Sequence, residues 1–309
     1  MLKNKKNAII FSIFAMLLWG SAIPLIKSTY LELGILRSET GLKILTAGIR
    51  FFMAGIVTLI LYRLTGTNKK DYPPINIKFV IILALVQTAI QYIFYYIGLS
   101  NTAGVKSAII QATNAFIVVI LSAILLPGDR INPNIIIALI LGTAGVFITN
   151  TGKSSTGSSI SLTGEGFIFI ATFFNALASI LIRKYGKGQN PFKLTAYQFL
   201  IGSGFLIIIG IITAERTIPM TSKGLLMLSY GAFVSAAAFS IWTIVLQYHS
   251  ANEFGVYKLF IPIFGSILSV IFLGEMFTKR LLIGMILVLA GSLILNLSKK
   301  EAKKNPREF

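Results

Sequence analysis

The 309-residue chain has no cysteine and a single histidine, His249. Without thiols there is no disulfide framework, no thiolate nucleophile and no cysteine-held metal. One imidazole leaves almost nothing for histidine-based metal chemistry. Acids are also scarce, ten Asp and Glu against 28 Lys and Arg. Charged residues make up 12% of the chain, about half the roughly 25% of a soluble domain. No glycine-rich nucleotide-binding loop is present, which argues against ATP as an energy source. The expectation is therefore no cofactor, no metal and no enzyme.

What fills the chain instead is apolar, 55% of all residues. The formal net charge of +18 does not point to nucleic acid, because the basic residues sit mostly in short loops between apolar runs, as topology signals do. A spanning helix needs roughly 20 mostly apolar residues. Ten such runs are legible: 8–26, 43–64, 77–98, 105–126, 133–151, 163–182, 192–213, 222–246, 253–273 and 279–297. Pro73–Pro74, Asn132–Pro133, the stretch 151–161, Asn190–Pro191 and Pro219 fall between them. The start, Met1-Leu2-Lys3-Asn4-Lys5-Lys6 before an apolar run, has the look of a secretory signal. The run is long and has no clear small-x-small cleavage site, so it reads as an uncleaved first helix. With the N-terminus inside, 17 basic residues fall on the inner side and nine on the outer, with Arg50 and Lys258 within spans. That bias places both termini in the cytoplasm of a multi-pass protein of the bacterial cytoplasmic membrane.

The chain also contains itself twice. Residues 117–150 align without a gap onto 263–296 with nine identities, among them Gly128/Gly274, Gly145/Gly291 and Asn150/Asn296, and with Asp129 opposite Glu275. Residues 43–64 match 191–212, pairing Arg50 with Gln198 and Phe51 with Phe199. The first span matches the sixth, pairing Lys27 with Arg183 and Trp19 with Asn175. Each half then has five spans, and an odd number inverts the second half. The expected fold is an all-α membrane protein of ten transmembrane helices in two inverted five-helix repeats. Residues 1–151 form the first repeat, 152–162 a linker, and 163–309 the second repeat with a basic tail. Such an arrangement places a binding site near mid-membrane between the halves and allows alternating access.

The residues that carry a family resemblance are Leu18-Trp19-Gly20-Ser21, Arg50-Phe51-Phe52, Ile261-Pro262-Ile263-Phe264, Leu273-Gly274-Glu275 and Ala290-Gly291. With these, over about 8–297, the chain resembles the ten-span EamA-like branch of the drug/metabolite transporter superfamily. The resemblance implies transport of small metabolites, often efflux, without fixing the cargo. It also implies a structural role for Arg50, capping carbonyls or bridging helices. The chain departs from the pattern at Phe116, where the repeat has Pro262, and at Pro127-Gly128-Asp129. The first departure implies a fourth span straighter than the ninth.

Polar residues inside spans are costly and turn inward. Helical spacing groups them into stripes: Gln87, Gln91 and Tyr95; Ser107, Gln111 and Asn114; Thr172, Asn175 and Ser179; Ser240, Thr243 and Gln247. The repeat maps the second stripe onto Glu253, Tyr257 and Phe260. The substrate-binding candidates are Trp19, Gln87, Gln91, Tyr95, Gln111, Asn114, Asn175, Ser179, Ser240, Thr243, Tyr257 and Lys258, with Arg50 as structural or anion-binding. The alternative for the hydroxyls is interhelical bonding without cargo. Lys258 either meets a substrate carboxylate or snorkels to the surface. Glu253 with His249 is a proton relay or a solvated pair. Asp129 and Glu275, beside glycines at span ends, serve helix termini or loops. Ala138, Gly142 and Gly145 with Gly284 and Gly291 form a tight scaffold pair.

The family's small four-span multidrug relatives carry an acid in the first span. Here residues 8–26 contain none, and the in-span charges are basic. That favours a secondary transporter exporting amino acids or other carboxylate-bearing compounds. The alternatives are an exporter of cationic drugs, an intramembrane lipid-modifying enzyme, or a scaffold subunit with no polar cavity. The partners expected are a small-molecule substrate and the bilayer, not nucleic acid. Sequence leaves the oligomeric state open, though one monomer supplies a complete repeat pair.

Overall fold

The structure, a computed structural model, describes residues 4–64, 72–125, 133–150, 161–186, 188–248, 257–258 and 260–304. The helices are α1 (Lys5–Glu32), α2 (Thr40–Leu64), α3 (Ile77–Asn101), α4 (Gly104–Leu125), α5 (Pro133–Asn150), α6 (Phe167–Tyr185), α7 (Pro191–Thr213), α8 (Ser222–Tyr248), α9 (Phe260–Leu273) and α10 (Lys279–Lys304). No strand occurs among the described residues. By length and composition seven segments can cross a membrane: α1, α2, α3, α4, Leu162–Ile182, α7 and Ser222–Trp242. Ile136–Ile148 in α5 and Phe260–Leu273 are shorter apolar helices. Large apolar side chains such as Phe14, Ile56, Ile60, Ile140, Phe147, Ile208 and Ile271 are exposed, a surface suited to hydrocarbon.

Local chemistry sets the helix ends. Asn4 accepts from the Lys6 and Asn7 N–H groups and caps α1. Asn76 caps α3 through the Phe79 N–H, and Asn190 caps α7 through the Lys193 N–H with Pro191 as its first residue. Gly274 follows α9 at φ +63°, a left-handed stop that glycine adopts without strain.

Two helices depart from regular α. In α3 the segment Ala84–Ile90 is π-helical. The α4 ladder is interrupted at Thr113, although the proline of the repeat is absent. There the Thr113 hydroxyl donates to the Ile110 carbonyl at 2.6 Å and the Thr113 N–H to the same carbonyl at 3.0 Å. This tightens the turn and stops the regular ladder. The regular hydrogen-bond ladder of the fourth helix is thus interrupted at a threonine.

Helix α2 packs along α7, and α5 along α10. Helix α1 lies against α8 and α9, α6 against α3 and α4, and α9 against the first part of α4. The α5–α10 contact is a backbone-to-backbone approach. A Cβ on Gly145 would sit 2.6 Å from the Gly284 carbonyl oxygen, and one on Gly291 2.7 Å from that of Ala138. The small-residue face read from the sequence therefore forms a tight pair, as expected of a scaffold.

One end of the bundle is tied by charge. Glu275, between α9 and α10, accepts from the Gly104 and Val105 N–H groups at 2.7 and 2.9 Å and pairs with Lys27 of α1 at 3.0 Å. It thus caps α4, a helix of the other half, where the anion meets the positive end of the helix dipole. Lys27 also donates to the Thr102 carbonyl, and Thr102 donates to Glu165, which pairs with Lys106 at 3.3 Å. Arg216, between α7 and α8, holds Glu39, between α1 and α2, through two bonds of 2.5 and 2.9 Å. Asp129 and the His249–Glu253 pair lie outside the described residues.

Candidate functional site

Two side-chain clusters occupy the middle of the bundle. The first joins α3, α4 and α6 through amides. The Asn175 Nδ2 donates to the Gln91 Oε1 at 3.2 Å. Asn114 Nδ2 donates to the Asn175 Oδ1 at 3.1 Å and to the Thr172 carbonyl at 3.2 Å. One helical turn away, the Gln111 Nε2 is shared among the Tyr95 hydroxyl, the Ser107 hydroxyl and the Ser107 carbonyl, each at 3.3 Å. Asn114 is the first residue after the break at Thr113. There Asn114 faces α6. Amides suit this place because each carries both donors and acceptors, so a chain can close on itself in an apolar medium.

The second cluster joins α1, α8 and α9 through aromatic rings. Trp19 meets Phe239 edge-on at 5.2 Å and Trp242 at 6.2 Å. Ala237, Tyr257, Phe260 and Phe264 pack into the same cluster. The Lys258 ammonium rests 5.4 Å from the Trp242 ring centre, a cation–π contact. A run of rings connects the two clusters: Phe239 to Phe199 at 5.2 Å, Phe199 to Phe51 at 5.3 Å, Phe51 to Tyr92 at 4.0 Å and Tyr92 to Tyr95 at 5.9 Å.

The remaining candidates are less connected. Gln87 is buried in the π-helical turn, and its Oε1 has no partner among the described residues. Ser240 is buried with its hydroxyl likewise unpartnered. Ser179 donates to the Asn175 carbonyl of its own helix at 3.0 Å, the local bond of a helical serine. The side chains of Thr243 and Gln247 lie outside the described residues.

Arg50 is 4% exposed. Its guanidinium donates to the Tyr96 hydroxyl at 3.1 Å and the Ser235 hydroxyl at 3.0 Å, bridging α2, α3 and α8. Neither Tyr96 nor Ser235 is marked by sequence reasoning. The run Tyr92, Tyr95, Tyr96 is a visible signal for the first, whereas Ser235 offers none. A small cavity of about 10 Å³ lies beside Arg50, lined also by Thr29, Thr46, Tyr96, Met227 and Leu228. That is room for about one water, not for a small molecule.

A family model described as the EamA-like transporter family matches the chain twice, over residues 6–151 and 162–297. The uncharacterized transporter YvbV of Bacillus subtilis is 27% identical over 94% of this chain and 92% of its own. The uncharacterized transporter YetK of the same organism is 26% identical over 85% and 81%. The chloroplastic WAT1-related protein At3g02690 of Arabidopsis thaliana is 24% identical over 90% of this chain and 66% of its own. A protein crystal structure with 17% identity superposes with a TM-score of 0.69 over 97% of this chain and all of its own, a likeness of fold.

Proposed function

The chain belongs to the EamA-like transporter family, and on that premise we propose that it is a secondary transporter that moves small metabolites by alternating access. The family and the apolar helices make it an integral multi-pass membrane protein. Ten spans in two inverted halves are the arrangement that best accounts for the contacts. Exchanging the halves maps the α2–α7 and α5–α10 contacts onto themselves. It also maps α1–α8 onto α6–α3, and α1–α9 onto α6–α4. Phe51 and Phe199, aligned by the repeat, meet as tilted rings 5.3 Å apart, as residues beside a two-fold axis could. The basic residues favour both termini in the cytoplasm of a bacterium. A monomer suffices for the repeat pair.

One observation carries the transport reading. The amide chain Gln91–Asn175–Asn114 draws its members from both halves. The positions aligned with Asn175, Gln91, Gln111 and Asn114 are Trp19, Ala237, Tyr257 and Phe260, which gather in the aromatic cluster. A polar wall and an apolar wall related by the repeat suit a cargo with one polar and one apolar end. Export of amino acids or other carboxylate-bearing compounds is the favoured direction and class, because Arg50 and Lys258 are basic and residues 8–26 lack an acid. The aromatic cluster favours a second reading, export of lipophilic cations. There the Lys258 ammonium already occupies the Trp242 face, and a cationic cargo would have to displace it.

Because the chain has no cysteine, single cysteines at Gln91, Gln111 and Tyr257 report accessibility cleanly. The expected result is labelling that switches between inward- and outward-favouring conditions. Protection of all three in both conditions would sink the reading and favour a scaffold. Melting of the purified protein against a metabolite panel then identifies the class of cargo.

A further inference from the structure

The four ion pairs among the described residues all lie at the end of the bundle opposite the termini, and each joins a residue of the first matched segment to one of the second. They differ in what they tie. Lys106–Glu165 stays within the α3, α4 and α6 group, and Glu32–Lys223 within the α1, α8 and α9 group. Glu39–Arg216 links the turn before α2 to the turn after α7. Lys27–Glu275 starts in the α1, α8 and α9 group, but its other bonds leave that group. Glu275 accepts from the Gly104 and Val105 N–H groups of α4, and the Lys27 ammonium donates to the Thr102 carbonyl at 2.8 Å. Both carboxylate oxygens are taken, and the side chain is 14% exposed.

Beneath this set the same two groups meet without room for a cargo. A Cβ on Gly104 would sit 2.5 Å from the Ser269 Oγ and 3.0 Å from the Ile23 Cγ2, and one on Gly265 3.2 Å from the Ala108 Cβ. Helix α4 therefore lies directly on α1 and α9. The seam is nevertheless not fully bonded. Ser269 is fully buried, and its hydroxyl has no partner among the described residues. Ser179 and Ser229, by contrast, bond carbonyls one turn back in their own helices. A buried hydroxyl without a partner is costly, and the cost vanishes once water enters. A charged clasp over a seam with an unpaired hydroxyl suits a contact that parts and re-forms.

We propose that Lys27 and Glu275 form a latch that holds the seam between α1, α4 and α9 shut, and that the cargo route opens at this end only when Glu275 leaves the N-terminus of α4. The proposal rests on the transporter reading above, in which the two walls face one cargo. The bonds to Glu275 are charge-assisted, so their loss shifts the population toward the parted seam. Gln111 lies seven residues along α4 from Gly104, about 10 Å. A reagent entering from this end reaches Gln111 through the seam.

The test is the sidedness of labelling. A membrane-impermeant maleimide is applied to intact cells and to inside-out vesicles carrying the full chain with Gln111→Cys as its single cysteine. Glu275→Gln removes the charge and keeps the shape of the side chain. Lys27→Met removes the cation and leaves the carboxylate on α4. Each variant should raise the labelling rate from the face opposite the termini about tenfold, and leave or lower it from the other face. A one-sided rise in either variant supports the latch. Unchanged rates at both faces in both variants overturn it. Equal rises at both faces also overturn it, because a clasp that merely stabilises the fold loosens the protein without regard to side. If Glu275→Gln does not fold, Lys27→Met decides, and unchanged sidedness there overturns the proposal. Cysteines at Gln91, Gln111 and Tyr257 that switch in the otherwise unmodified protein, with sidedness unmoved by both variants, remove the latch alone and keep the transporter reading. Protection of all three in the unmodified protein and in both variants removes the transporter reading as well.

Discussion

The helices α3, α4 and α6 and the helices α1, α8 and α9 are matched by the sequence repeat, yet they are finished in opposite chemistries. The first group meets through Gln91, Asn175, Asn114 and Gln111, held by hydrogen bonds. The second meets through Trp19, Trp242, Phe239 and Phe260, held by ring contacts and burial. The scaffold contacts, α2–α7 and α5–α10, keep like residues at matched positions, such as Phe51/Phe199 and Gly145/Gly291. The two clusters are thus one place where the duplicated halves diverge in chemistry, alongside Arg50/Gln198 in the α2–α7 contact. An amide chain fails if one member is lost, because its neighbours are left unpaired in an apolar medium. A ring cluster degrades gradually, because dispersion and burial are shared over many contacts. The two walls should therefore respond differently to equal insults.

The strongest way to break the contrast is to impose the aromatic chemistry on the amide wall. Asn175→Trp, which places there the residue at the aligned position, removes the partner of both Gln91 and Asn114 and overpacks the α3–α6 contact. It should destabilise the protein by about 3–6 kcal/mol and abolish transport, read by detergent melting and by flux in proteoliposomes. Asn175→Ala deletes the amide without overpacking. A loss of about 1–3 kcal/mol is expected, with a non-additive double-mutant cycle against Asn114→Ala. An additive cycle would mean that the chain is not cooperative. The matching change in the other wall, Trp19→Phe, keeps a ring against Phe239 and should cost only about 1 kcal/mol.

The smallest expected effect is a control that touches neither wall. Glu39 lies between α1 and α2, outside the spans. Its carboxyl is held below the usual range first by the Arg216 bonds and then by the Leu36 N–H. A depressed folded-state pKa stabilises above the ordinary carboxyl value and stops stabilising as pH falls through the folded value. Melting temperature should therefore drop below about pH 4–5, and Glu39→Gln should flatten that slope while leaving cargo affinity unchanged. A change in affinity would show that the turn between α1 and α2 is coupled to the walls.

Much of this was legible in the residues. The stripes at helical spacing placed Gln91, Gln111, Asn114 and Asn175 on inward faces, and the structure joins Gln91, Asn175 and Asn114 to one another and Gln111 to Tyr95. The glycine beside Glu275 foretold a role at a helix end. That the capped helix is α4, in the other half, required the fold. The π-helical turn at Ala84–Ile90 and the break at Thr113 were not legible, because both arise from competition between backbone bonds and tertiary fit. Ser235 was missed because a serine among alanines has no periodic signature, and its meaning comes from Arg50 on another helix.

The sequence by itself determined that the chain is helical, apolar and internally duplicated, because those properties follow from local composition and periodicity. It determined which positions broke the duplication. Only the tertiary structure decided what the breaks are for. It gathered three amides on three helices, Gln91, Asn175 and Asn114, into one chain of bonds, set Gln111 against Tyr95 one turn away, and brought their aligned counterparts into one apolar, largely aromatic cluster. It also set Arg50 beside two hydroxyls with no acid to balance it. Partners across helices are chosen by packing, and packing between residues far apart in the chain leaves no local trace.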